Sequence, residues 1–574
     1  MDLREHHCMA LPARQRLLRI AVHRARCSTL VRVLLLGAPA LAAFATFGCA
    51  PLNQDAEPYD YECGSSPDVA FETAGGTAKC GQDDPLLSGV EPTFPAEVCE
   101  TLVADKSFPD EDRLDTARVQ AALDRCNGSA VKLVAEGDNN SFITGHLTVD
   151  SVTLWVDKGV TLYMSRNPEL FQKTGACGVQ GINDSSACQD FISVRGKSPA
   201  IMGDGTIDGQ GGEPLVGHDY SWWQLSAALR AVDGSLGNPT MINLASRTTG
   251  FKLYRITLHN SAKFHVKLTS NPEDGTCDTP GEGYVVWGVT ILTPSKLFNS
   301  QGLFMNPHSA RNTDGIDPGT TSYAQCGVIA CNTVSTSDDQ IAIKGGHLVK
   351  DLIIAHNHFG TGHGMSIGSE TYGADLGQRG VQNVHVYDLT IDADSRAIGW
   401  DATANDFNGI RIKSDVSRGG LVDNITYEDV CMRDMNNVFL ISTGYNTLFA
   451  GDFYPEFRRI TAKNVRHVSC MNTREPIISV SGKSLSRRTG PVTFDNVIVD
   501  NVSPLGVHAE YVDINLGPGN VNFQPTGYDV NLSNNISGDS APKQCVFPTL
   551  PTPEIPPGWL KGGGELERNF WEER

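Results

Sequence analysis

Between Asn312 and Lys413 the sequence sets out four short polar motifs: Asn312-Thr313-Asp314-Gly315, Asp338-Asp339-Gln340, Gly362-His363-Gly364 and Arg411-Ile412-Lys413. Together they hold three carboxylates, an imidazole, a guanidinium and an ammonium. Carboxylates held close together repel, so at least one pKa rises. A raised carboxyl is a general acid and an ionised neighbour a general base. Hydrolysis of a glycosidic bond with inversion needs such a pair, with room for a water between them. The plainer reading of the same aspartates is turn capping or Ca²⁺ binding. His363, between two glycines, either packs at a corner or shares the proton of an acid. Arg411 and Lys413 lie two apart, so on a strand they face one side. They form either a solvated basic face or a clamp for substrate carboxylates.

The spacing says what must position these groups. Asp314 to Asp338 is 24 residues, Asp339 to His363 is 24, and His363 to Arg411 is 48, with an insertion between. Repeats of that length point to a solenoid. In a parallel β-solenoid, equivalent positions stack roughly 4.8 Å apart. Asp338 and Asp339 would point to opposite faces within a strand, but at a corner both can face one groove. Two kinds of strand-like segment alternate after Met241, one resembling Gly250–Leu258 and the other Phe264–Leu268. Two short strands per turn and about ten turns are expected. Asn332, Asn357, Asn383, Asn424, Asn464, Asn496 and Asn501 fall at corners, where asparagine tolerates left-handed backbone. Residues 113–126 have helical spacing at Leu114, Val119, Ala122 and Leu123, as expected for a helix capping the core. Gly203–Gly211 is turn-dense, and no helix clearly starts there, which excludes a nucleotide loop. Trp222 and Trp223 are either a sugar platform or packing residues, and packing is the expected role. The segments 370–380 and 394–408 break the period and are expected to wall a cleft.

The chain has 574 residues and a formal charge of −20. This argues against general nucleic-acid binding, and a polyanionic substrate would need a local basic site. Residues 1–32 carry seven arginines, and an apolar run from Val33 to Phe47 follows. That pattern reads as a secretory signal, too short and broken for a membrane span. Cleavage after Ala45 would release the protein; cleavage before Cys49 would leave a lipid anchor on that cysteine. Of 15 cysteines, Cys8, Cys27 and Cys49 lie in or next to the signal, and the other twelve are an even set that fits disulfides in an exported protein. Cys177/Cys188 and Cys326/Cys331 are spaced to close small loops. No cysteine or histidine cluster has zinc-finger spacing. Four regions follow: a targeting segment at 1–48, a Cys- and Pro-rich extension at 49–108, a catalytic β-helix at 109–545 and a flexible Pro- and Gly-rich tail at 546–574.

The ordered set Asn-Thr-Asp-Gly, Asp-Asp-Gln-Ile-Ala-Ile-Lys, Gly-His-Gly and Arg-Ile-Lys resembles the signature of the polygalacturonases, family 28 of the glycoside hydrolases. The likeness runs from the helix near Asp115 to about Val502 and includes Gly203–Gly211 and Asn260–His265. Ala310–Gly319 looks most like bacterial members. The resemblance implies an all-β fold: a single-stranded, right-handed parallel β-helix with a short N-terminal capping helix. It also implies inverting hydrolysis of α-1,4 bonds between galacturonic acids. Asp338 would be the general acid, and Asp314 and Asp339 would hold and activate the water. His363 would support the acid, while Arg411, Lys413 and Tyr445 would bind substrate. Lys344 carries no assigned role, and Gln340 stands where many members have cysteine. No cofactor or metal is implied. The expected partner is pectin, met outside the cell by a monomer. A Ca²⁺-dependent pectate lyase and a hydrolase of branched pectin such as rhamnogalacturonan are the alternatives.

Overall fold

The computed structural model describes residues 80–554 except 82, 231–236, 271–275, 306–307, 321–322, 372–379, 394–406, 446–450, 471–474 and 539. It also describes the backbone of Ser65–Ser66. The strands are short, parallel and stacked turn upon turn, forming a parallel β-helix. Each turn contributes to three sheets. Leu253 pairs with Ile201 below and Val286 above, Leu258 with Ile207 and Ile291, and Val266 with Ile242 and Ile316.

The expectation of two strands per turn is therefore corrected to three. The longer segment type is two strands joined by a short bend: Phe251–Tyr254 and Thr257–His259 flank Arg255 and Ile256, and only Arg255 has positive φ, 56°. Later the bend sits inside one continuous strand, at His356 in Leu348–Phe359 and at Asp388 in Gly380–Asp392. A corner that uses a single residue leaves no turn signature for the sequence to display. The third sheet carries the motif region, through Val266–Leu268, Ile316–Pro318, Ile341–Ile343, Met365–Gly368 and Asn408–Lys413. Val266, Ile316, Ile341, Met365 and Ile410 form one stack inside, none of them exposed. This strict inside stack fixes the register, because a one-residue slip would turn it outward.

Five of the seven corner asparagines, Asn383, Asn424, Asn464, Asn496 and Asn501, adopt positive φ. Asn332 and Asn357 do something else. Both are buried, and Asn332 Nδ2 donates to Asn357 Oδ1 at 2.9 Å, a rung-to-rung side-chain ladder. The expected cap is the helix Thr116–Arg125, which buries Val119, Ala122 and Leu123. Asp115 precedes it without capping its amides. Its carboxylate instead takes the Ile143 amide, the Lys106 ammonium and the Arg118 guanidinium, which ties the helix to the first turns. A second helix, Trp222–Arg230, was not legible in the sequence. Trp222 and Trp223 are buried in it, in the expected packing role, and Trp223 Nε1 donates to the Ser261 carbonyl at 2.8 Å.

Between described residues, five disulfides join Cys80–Cys331, Cys99–Cys126, Cys177–Cys188, Cys277–Cys326 and Cys431–Cys545. The expected 177–188 loop is present. Cys326 and Cys331 are not joined to each other, because most of the strand Ala324–Ala330 lies between them. An extended strand of that length holds its ends roughly 16 Å apart, beyond the reach of a disulfide. Residues 546–554 run along the body: Phe547 is buried, and the Glu554 amide donates to the Ser295 carbonyl. Most of the two expected cleft-wall loops, and residues 555–574, lie outside the described residues.

Candidate active site

Asp314, Asp339 and His363 each stand two residues ahead of an inward residue: Ile316, Ile341 and Met365. Those three are register partners on consecutive rungs. The polar groups therefore form a ladder with a rise of roughly 4.8 Å. Asp314 is equivalent to Asp339, one residue off the alignment with Asp338 that the 24-residue step suggests. The ladder is held through backbone: the Gly315 amide donates to the Asp339 carbonyl at 2.9 Å, and the Gln340 amide to the Gly364 carbonyl at 3.2 Å. Asp338 and Asp339 lie in the bend before Ile341–Ile343, so both reach the groove. In the strands that follow, Ile410 and Ile412 point inward, and Arg411 and Lys413 share the outer face.

Each carboxylate has its own surroundings. Asp339 is buried and fully engaged. Its Oδ1 accepts from Ser366 Oγ at 2.7 Å and Arg411 Nη1 at 3.2 Å, and its Oδ2 from Lys413 Nζ at 2.9 Å. Burial pushes its pKa up, but Lys413 and Arg411 outweigh burial and hold it below the usual carboxylate value. Asp338 is the more open of the pair, with its side chain 14% exposed. His363 Nδ1 lies 3.0 Å from its Oδ1, and the Asn312 amide donates to its Oδ2. Burial again opposes ionisation, and His363, then Lys413 and Lys344, bring Asp338 far below the usual range. Asp314 differs. It is buried, Lys344 Nζ donates to its Oδ2 at 3.1 Å, and its Oδ1 has no partner among the described residues. Burial raises its pKa well above the usual value; Lys344 counteracts this, and Asp317 adds to it.

Three residues join the site that the sequence reading left unassigned. Lys344 bridges Asp314, Asp317 at 3.7 Å and Glu370 at 3.9 Å. Burial lowers its pKa, but these carboxylates hold it well above the ordinary value. Asp317 is fully buried with neither oxygen hydrogen-bonded, and burial pushes its carboxyl up to about 7. Ser366 orients Asp339. Strand alternation in Ile316-Asp317-Pro318 and Met365-Ser366-Ile367 would have placed both of these on the groove face. Beneath Asp314, His265 is buried, and burial holds its pKa down to about 4, so it is neutral. Its Nδ1 donates to the Asp314 carbonyl at 3.0 Å, and Nε2 accepts from the Thr293 hydroxyl at 2.8 Å. Tyr445 is the most exposed of the expected site residues. Its ring lies 5.3 Å from Lys413 Nζ, and its amide donates to the Ser414 carbonyl.

The arrangement brings Asp314, Asp338, Asp339, His363, Arg411, Lys413 and Tyr445 into one cluster along the third sheet. Ligand atoms of Asp338, Asp339 and His363 lie within 4.8 Å of one another, close enough to be considered as a metal site. The donor set does not suit a dication. Both Asp339 oxygens are already neutralised by Arg411 and Lys413, and two cationic side chains would repel the ion.

Residues 175–500 match the family described as glycosyl hydrolases family 28. A polygalacturonase of Ralstonia nicotianae is 35% identical over 454 residues, covering 72% of this chain and 80% of the relative. An endo-polygalacturonase of Pectobacterium parmentieri is 37% identical over 382 residues, covering 65% and 81%. Among solved structures, the polygalacturonase from Erwinia carotovora ssp. carotovora superposes with a TM-score of 0.57 at 31% identity. The match spans 77% of this chain and 98% of that one. A Yersinia enterocolitica family 28 exopolygalacturonase, at 17% identity and TM-score 0.51, shares the fold.

Proposed function

Since this chain belongs to glycosyl hydrolases family 28, we propose that it is an exported polygalacturonase that hydrolyses α-1,4-galacturonosyl bonds with inversion. The observation that carries this reading is the ladder itself: Asp314, Asp338 and Asp339 beside His363, with Arg411 and Lys413 on the adjoining rungs. Asp338 is the acid, because it is the most open carboxylate of the three and its Oδ1 lies 3.0 Å from His363 Nδ1. In the empty site its charge is stabilised by that imidazole and by Lys413. A bound galacturonate carboxylate brings a negative charge beside Arg411 and Lys413, which stay on Asp339, and excludes water. Both changes raise the Asp338 pKa and return its proton for delivery to the leaving oxygen. Asp339, ionised by its two cations, and Asp314 orient and deprotonate the attacking water. The occupied cations around Asp339 disfavour the Ca²⁺-dependent lyase reading. Export is supported by the basic-then-apolar start and by the disulfides.

Incubating the protein with polygalacturonate and a chelator, while following reducing ends and ultraviolet absorbance together, tests the assignment. New reducing ends without unsaturated products are expected. Unsaturated products, or a requirement for Ca²⁺, would refute hydrolysis. Asp338→Asn is expected to lower kcat by about 10³-fold with the fold retained; near-normal turnover in the folded variant would remove Asp338 from the mechanism.

A further inference from the structure

We propose that Lys267, with Lys263 beside it, forms a second uronate-binding subsite on the opposite side of the catalytic carboxylates from Arg411 and Lys413. This rests on the reading of the groove as a polygalacturonate site. Lys267 occupies the outward position of the strand Val266–Leu268, between buried Val266 and Leu268. Register carries its column along the groove. Lys267 pairs with Asp317, the next rung is that of Ile341–Ile343, and the same column continues to Ser366 one rung further and Arg411 two rungs further. Asp338 and Asp339 stand at the head of the middle strand. Arg411 lies two rungs to one side of them and Lys267 two rungs to the other, each roughly 10 Å along the axis.

The charges around Lys267 fit an anion that arrives with the substrate. Its neighbour Asp317 is turned to Lys344, at 3.7 Å. Of the carboxylates that act on neighbouring Lys263, Asp314 takes Lys344 Nζ at 3.1 Å and Asp190 takes Asn243 Nδ2 at 2.8 Å. Among the described residues no carboxylate comes within ion-pair distance of Lys267. Lys263 packs its ammonium 5.2 Å from the Phe264 ring, and Lys344 lies as close to the same ring. Burial first, and then the Lys267 charge, hold Lys263 down to about 8. Two ammonium groups thus stand together in a protein of charge −20, a local reversal that suits a carboxylate ligand. A polyuronate presents one carboxylate per unit, so a chain bridging the groove meets Arg411 and Lys413 on one side of the cut and Lys267 on the other.

The test is kcat/KM on end-labelled oligogalacturonates of increasing length, with parent, Lys267→Gln and Lys267→Arg compared and melting temperatures confirming the fold. In the parent, kcat/KM rises in steps as each added unit reaches a new subsite. Lys267→Gln is expected to lose about tenfold only beyond the length that reaches Lys267, and Lys267→Arg to keep that step. No loss, or an equal loss at every length including the shortest oligomer cleaved, would overturn the subsite. A parent that cleaves the oligomers but shows this pattern of no or uniform loss leaves the polygalacturonase reading standing; a parent that cleaves none refutes that reading, and the subsite with it. Should Lys267→Gln not fold, Lys263→Gln is measured in the same way.

Discussion

At the scale of the residue, the site is a set of carboxylates separated by what touches them. Asp339 has two cations and a hydroxyl, Asp338 an imidazole and two amides, Asp314 one ammonium, and Asp317 only the distant edge of that ammonium. Asp317 therefore carries a testable pH signature. Its folded pKa of about 7 lies above the ordinary value of 3.8. Below about pH 4 the carboxyl is protonated whether folded or unfolded, and its contribution to stability is fully present. As pH rises toward 7 the unfolded chain ionises first, and stability is lost through that window. Asp317→Asn is expected to raise Tm by about 2–4 °C at pH 8 and to leave it nearly unchanged at pH 4. Thermal melts at the two pH values check this; an equal change at both would mean that Asp317 is ionised in the fold throughout. The residues proposed as acid, base and clamp could be picked out in the sequence because each sits in a compact motif. Asp317 and Ser366 were not, because single polar residues between apolar ones look like ordinary strand alternation.

At the scale of the element, the site depends on corners where the chain must turn tightly. Gly364 has φ +83°, and a Cβ there would stand 2.1 Å from the Asn408 carbonyl oxygen on the next rung. That contact is backbone and has nowhere to go. Gly364→Ala is expected to cost roughly 2–4 kcal/mol and, by displacing neighbouring His363, to lower kcat by about 10²-fold. Gly444→Ala, where a Cβ meets nothing within 4 Å, serves as the control in the same denaturation and rate measurements. If both variants behave alike, the packing argument fails. The repeat itself was readable because inward Ile, Val and Leu recur with period two inside each strand. The third sheet was hidden by corners such as Arg255 and His356, which bend the chain with one residue of no turn-forming type. The Cys326 and Cys331 partners were hidden for a related reason: closeness in sequence is no guide when the residues between are extended.

At the scale of the whole molecule, covalent ties span many turns. Cys80–Cys331 closes a separation of 251 residues and Cys431–Cys545 one of 114. The first holds the N-terminal extension against a sheet other than the one that carries the groove. There Asp84 also accepts from the Tyr387 hydroxyl and pairs with His356 at 2.9 Å. Replacing Cys80 and Cys331 together by alanine is expected to destabilise the protein by about 2–5 kcal/mol while kcat on polygalacturonate stays within about twofold. Chemical denaturation and steady-state kinetics check both halves. Lost turnover at full stability would place the extension in the catalytic machinery.

The rung spacing has one more consequence. Because Asp339, Ser366 and Arg411 sit on successive turns of one stack, the backbone works as a gauge whose smallest graduation is one turn. Loops added at corners leave that gauge untouched, whatever their length. Gaining or losing a complete turn between Ile341 and Ile410 would shift Arg411 and Lys413 by one graduation and leave every side chain in its familiar orientation. Substrate reach in such a scaffold is thus set digitally by counting turns, and its surface can vary freely around a fixed scale.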